Sequence, residues 1–80
     1  MPKLSVYDVV RLQRIVRAQH RVITRRQALE CGMPHSTVES WVMPGGKWAK
    51  LLPGVYATVT GKVTVEQRQV AALLYAGQTA

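Results

Sequence analysis

Residues 24–57, TRRQALECGMPHSTVESWVMPGGKWAKLLPGVYA, carry the signals that decide the fold. Thr24 stands where an N-cap belongs, and Gln27 three residues on completes a Thr-x-x-Gln capping box, in which each side chain meets the other residue's backbone N–H. A helix over 25–31 should follow, with Ala28, Leu29 and Cys31 turned inward, and Gly32 is well placed to end it in a left-handed conformation. Met33-Pro34 interrupts, because proline biases its predecessor away from helical backbone. A second helix is expected over 35–43, with Val38 and Val42 sharing a face and Trp41 beside them. His35, Ser36, Thr37, Glu39 and Ser40 are then left outward, and Pro44-Gly45-Gly46 is a stop. Strands over 47–51 and 55–58 should flank Leu52-Pro53-Gly54. Pro-Gly suits a type II turn rather than the primed turns of two-residue hairpins, so a wider loop is expected, and Leu51-Leu52 hints at a bulge or kink. Trp48 and Tyr56 read as core anchors beneath this hairpin in preference to rings that stack on bases. Two short helices around a Gly-led turn, then a hairpin, is the order of a helix-turn-helix followed by a wing.

Helices this short do not persist alone and need a shared core. A first helix over 5–19 supplies part of it, with Val9, Leu12, Ile15 and Val16 on one stripe and Arg11, Arg14, Arg17 and Arg21 on a second. Ser5 is its expected N-cap, with Asp8 at the third helical position. Its arginine stripe can face phosphates, an acidic protein or water; a first helix usually serves as scaffold, so water is the default. Val22-Ile23 is too brief for an independent strand but can pair with the later hairpin. Thr64-Val65-Glu66-Gln67 is a second capping box, opening a helix over 65–76 with Val65, Ala72, Leu73 and Ala76 on its core side and Gly77 as its terminator. That helix is richer in Ala and Leu than one stripe requires. Its outer side should be covered by a dimer partner or, in preference, by a further C-terminal domain. The fold class expected is mainly α with a small β-hairpin, one winged helix-turn-helix domain over 1–80 that forms the N-terminal part of a longer protein.

Composition narrows the function. Eighty residues make one small domain, burying about 60–65% of the surface that the unfolded chain exposes. Eleven basic and four acidic residues give a net charge of +7, a field that attracts polyanions, nucleic acid first and an anionic membrane surface next. The lone Cys31 excludes an internal disulfide and reads as a small buried hydrophobe. No signal peptide is visible, and no apolar run approaches the roughly 20 residues that span a bilayer, so a soluble, cytoplasmic protein is expected. The carboxylates Asp8, Glu30, Glu39 and Glu66 are scattered, with no spacing that suggests an acid–base pair. Neither His20 nor His35 has a partner at metal-ligand spacing, and Gly45-Gly46 lacks the context of a phosphate loop. No enzyme activity, metal or cofactor is expected.

From Val22-Ile23-Thr24-Arg25-x-Gln27-Ala28 through Gly32, Ser36 and Val38 to Gly46-Lys47-Trp48-x-Lys50-Leu51-x-Pro53-Gly54-Val55-Tyr56, the chain resembles the N-terminal winged-helix domain of AbiEi-type antitoxins. The similarity continues into Gln67-Arg68-x-x-x-Ala72-Leu73-Leu74-x-Ala76-Gly77, and its most specific part is the tryptophan-to-PGVY segment. In that family the domain binds DNA, commonly the operator of its own operon, ahead of a C-terminal domain that neutralises a nucleotidyltransferase-like toxin. Similar domains also precede nuclease-like domains. The resemblance implies DNA binding through 35–43 and the wing; it does not carry antitoxin activity to these residues. The chain departs from the family in having Pro34 where a Ser is usual, so that Ser36 or His35 is expected to cap. It also lacks any Arg or Lys in the second motif helix and has a longer Met43-Pro44-Gly45-Gly46 turn.

The leading expectation is sequence-specific binding of double-stranded DNA, as a homodimer on an operator or with a cognate toxin engaged through the further domain. Arg25 and Arg26, with Lys47 and Lys50 on the wing, would hold phosphates, which positions a protein without reading sequence. Discrimination would fall to His35, Ser36, Thr37, Glu39 and Ser40, with Glu39 accepting from cytosine N4 and Thr37 touching a thymine methyl. Ser36 or Thr37 can equally serve a phosphate near the helix N-terminus. The alternatives are a protein-interaction module whose arginine stripe docks an acidic partner, or the DNA-targeting module of a nuclease-like protein.

Overall fold

The computed structural model describes residues 8–59 and 61–79. Four helices, α1 (Val9–Ala18), α2 (Arg25–Glu30), α3 (His35–Val42) and α4 (Val65–Thr79), pack on three short strands, β1 (Val22–Thr24), β2 (Ala49–Leu52) and β3 (Val55–Ala57). The sheet is antiparallel with β3 in the centre, in the order β1-β3-β2. Val22, Ile23 and Thr24 pair with Ala57, Tyr56 and Val55, so the β-branched pair does join the later hairpin.

Helices cover both faces of this sheet. Successive strand residues point to opposite sides. Ile23 and Tyr56 accordingly join Leu12, Ala28, Cys31, Met33, Val38 and Trp48 in one cluster. Val22 and Val55 join Ala71 in another, with Val70, Leu74 and Tyr75 packed against it. α1, α2 and α3 therefore lie on one side and α4 on the other. β1 and β3 are buried along their whole length, and strands buried on both faces read as continuous apolar runs rather than alternating ones. The wider loop expected between β2 and β3 is not found. Leu52 pairs directly with Val55 across Pro53-Gly54, and the register slips between Lys50 and Leu52. The bulge at Leu51 adds the twist that a turn with Pro53 and a left-handed Gly54 (φ 75°) does not supply.

Several boundaries and faces differ from expectation. Asp8 is the N-cap of α1, accepting from the Arg11 N–H at 2.9 Å, rather than its third helical residue; Ser5 lies outside the described residues. α1 ends at Ala18, and His20 and Arg21 adopt left-handed backbone (φ 55° and 67°) in the turn to β1. Cys31 caps α2 instead of continuing it, and α3 ends at Val42. Lys47 and Trp48 precede β2, because the Trp48 N–H donates to the Trp41 carbonyl (2.8 Å) at the end of α3 rather than to a strand. Val9 and Leu29 are exposed at the edges of their stripes. β3 stops at Ala57, and Thr58 instead donates to the Arg21 carbonyl (2.8 Å).

The largest correction concerns α4. Leu73 is 73% exposed and Val65 66%, with Ala72 and Ala76 also outward, while Gln67 and Ala71 are buried. Its capping box sets this rotation. Gln67 reaches back to the Thr64 N–H (2.9 Å) and also donates to the His20 carbonyl (3.1 Å), which draws the face of Gln67, Val70, Ala71 and Leu74 onto the sheet. Helix geometry continues through Gly77 to Thr79, so that glycine is not the terminator.

Candidate nucleic-acid interface

α2 and α3 are joined by a turn that local chemistry fixes at each end. The Thr24 hydroxyl accepts from the Gln27 N–H (3.1 Å) while the Gln27 side-chain oxygen Oε1 accepts from the Thr24 N–H (3.0 Å). The Gln19 and Gln27 amides then bond each other reciprocally at 2.9 Å, tying this cap to the end of α1. At the other end Gly32 (φ 90°) donates to Leu29 and Met33 to Ala28, the paired bonds of a Schellman closure. Met33 turns into the core, and the Asp8 N–H donates to the Cys31 carbonyl (2.7 Å), locking the start of α1 onto this turn. Burial pushes the Cys31 thiol above its ordinary value, as suits a packing residue.

Pro34 is the N-cap of α3, with its carbonyl accepting from Thr37 (3.0 Å) and Val38 (3.1 Å). No side chain caps this end, so neither His35 nor Ser36 takes the role expected of it. Val38 anchors the helix at 0% exposure. His35, Ser36, Glu39 and Ser40 form the exposed face, with Met43 continuing it and Thr37 half-buried beside it. The far end is held by an aromatic column. Trp48 meets Trp41 edge-on (centroids 5.1 Å) and stacks on Tyr56 (6.1 Å), which fastens α3 to the central strand. Trp48 and Tyr56 are buried, so they are core anchors.

The basic residues fall into two groups. Arg26, Lys47 and Lys50 are exposed, with the Lys47 ammonium lying 4.8 Å from the Trp41 ring centre. Arg26 and Lys50 enter no ion pair among the described residues. Arg25 differs. Its backbone N–H donates to the Gly54 carbonyl (2.8 Å) in the β2–β3 turn, and its guanidinium donates to Glu39 Oε2 (3.2 Å) and contacts His35 Nε2. The Tyr56 side chain, then Glu39, push the pKa of this guanidinium above its ordinary value. α2, α3 and the hairpin thus meet at one cation. Residue-by-residue reading missed this cluster, because nothing in spacing marks Arg25 as a partner of a glutamate 14 residues away.

Among the described residues, no group of three or more His, Cys, Asp or Glu side chains could hold a metal ion, and no helix is long and apolar enough to cross a membrane. No family model matches the chain, and neither curated proteins nor solved structures give a match.

Proposed function

We propose that this chain is a winged helix-turn-helix domain that binds double-stranded DNA sequence-specifically as a transcriptional regulator. One observation carries the reading. α3 is clamped on one side by Val38 and the Trp41–Trp48–Tyr56 column, while it presents His35, Ser36, Glu39 and Ser40 outward, and the segments on either side of it in the chain carry the exposed cations Arg26, Lys47 and Lys50. A helix anchored from behind with polar side chains on its open face suits the major groove, and neighbouring cations suit the phosphates. The β2–β3 hairpin would be the wing. The uncapped N-terminal amides of α3 would favour a phosphate at that end. The resemblance to AbiEi-type antitoxins supports an operator of the protein's own toxin–antitoxin operon as the target.

Titration of fluorescent duplexes at 50 and 200 mM salt tests this. With the three cations on phosphates, affinity should fall about fortyfold between the two conditions. Charge reversal at Arg26 and Lys50 should weaken binding strongly, and reversal at Arg14 and Arg17 little. Binding without salt dependence would sink the reading. Loss of duplex binding confined to the Arg14 and Arg17 reversals would move the interface from α3 to the exposed α1 stripe and overturn the assignment of α3 as the reader.

A further inference from the structure

We propose that Arg25 is a positioning residue that makes Glu39 a reader of cytosine, rather than a clamp for phosphate; this rests on the DNA-binding reading above. A carboxylate on a groove-facing helix is repelled by the phosphates, and nothing else on α3 compensates it, since that helix holds no Arg or Lys. Arg25 supplies the compensation. Its Nη1 donates to Glu39 Oε2 at 3.2 Å, which neutralises the carboxylate locally while Glu39 stays 53% exposed. Oε1 remains open as an acceptor. An acceptor-only group can take the N4 amino group of cytosine. It is opposed by the O6 and N7 acceptors of guanine, the O4 of thymine and the N7 beside the amino group of adenine.

The other partners of Arg25 serve the same end. The Gly54 carbonyl fixes the Arg25 backbone from the hairpin turn at 2.8 Å. The guanidinium also contacts His35 Nε2, so the exposed His35 and Glu39, one turn apart on α3, both meet the same cation. A cation committed to this many internal partners is poorly placed to grip phosphate as well, which leaves that work to Arg26, Lys47 and Lys50.

Selection of sites from a pool of randomised duplexes, followed by titration of the selected duplex and its single-pair variants, tests the assignment. The selected site should contain a C·G pair whose replacement by T·A weakens binding about five- to tenfold. Glu39→Gln should transfer the preference at that position to adenine, whose N6 and N7 a Gln amide matches. Arg25→Met and Arg25→Lys should both erase the preference there with the salt slope unchanged, because lysine keeps the charge but not the planar fork. Even weakening on every duplex, with a slope smaller by about one and rescue by lysine, is the signature of a phosphate contact and overturns the assignment alone. Should the Arg25 variants fail to fold by circular dichroism, Glu39→Gln decides, and an unchanged base preference overturns it. If the unaltered chain selects no duplex, the DNA-binding reading falls and this assignment with it.

Discussion

At Gly46 the chain runs so close to α3 that a Cβ would lie 2.3 Å from the Trp41 carbonyl oxygen and 2.8 Å from that of Ser40. Both obstacles are backbone, and the Trp41 carbonyl already accepts from the Trp48 N–H at 2.8 Å, so neither can yield cheaply. This glycine is needed for proximity, and the aromatic column behind α3 depends on it. Gly46→Ala should cost about 1–3 kcal/mol, lowering the melting temperature by at least about 4 °C. Gly61→Ala, with nothing within 4 Å, should leave it nearly unchanged. Equal melting temperatures for the two variants would refute the close approach. The sequence marks Gly45-Gly46 as a stop, but only the packed loop shows that one of the pair cannot carry a side chain.

Among the elements, α4 shows how a local signal can be right about a boundary and silent about a face. Thr64 and Gln67 form the expected box, with the Gln67 N–H donating to the Thr64 hydroxyl at 3.1 Å. Gln67 also satisfies the His20 carbonyl, in a turn where His20 and Arg21 hold left-handed backbone that side-chain-bearing residues rarely adopt. It thus joins α4 to the end of α1 across 47 residues of sequence. Gln67→Ala removes the two side-chain bonds, from the Thr64 N–H (2.9 Å) and to the His20 carbonyl (3.1 Å), and should cost about 1–2 kcal/mol in urea denaturation, whereas Gln69→Ala on the exposed side should fall within about 0.5 kcal/mol of the parent. Gln67→Glu separates the two roles, since it keeps the acceptor for the Thr64 N–H and loses the donor to His20. Parity between the variants at 67 and 69 would show that the buried amide stabilises nothing.

For the whole molecule, the sheet is a partition. α4 packs against one face, and α1, α2 and α3 against the other, so the α3 surface and the outer side of α4 are separate. Polar substitutions on α4 should therefore divide sharply by face. Leu73→Gln should change stability by no more than about 0.5 kcal/mol and leave duplex binding unaltered. Ala71→Gln, at a position 1% exposed, forces a larger polar group between helix and sheet and should cost about 2 kcal/mol or more. Thermal melts and a duplex titration on the same samples check both statements. If Leu73→Gln proves as damaging as Ala71→Gln, the rotation of α4 described above is wrong.

What the sequence by itself determined about this protein is its punctuation. The Thr24–Gln27 and Thr64–Gln67 boxes, the left-handed Gly32, the break at Pro34 and the Pro53-Gly54 turn all act through bonds or dihedral limits within a few residues, so the ends of α2, α3, β2 and β3 and the start of α4 are legible to within two residues. The net charge of +7 and the polar outward set on α3 are legible in the same way. Tertiary structure alone decided which face of α4 meets the sheet, why Leu29 and Leu73 stay exposed, and that Arg25 meets Glu39 and His35. Those outcomes depend on contacts between distant segments, which exist only once helices have packed on both faces of the sheet. Local propensity gives each segment its conformation; its rotation and its partners are chosen by what the neighbouring segments bury.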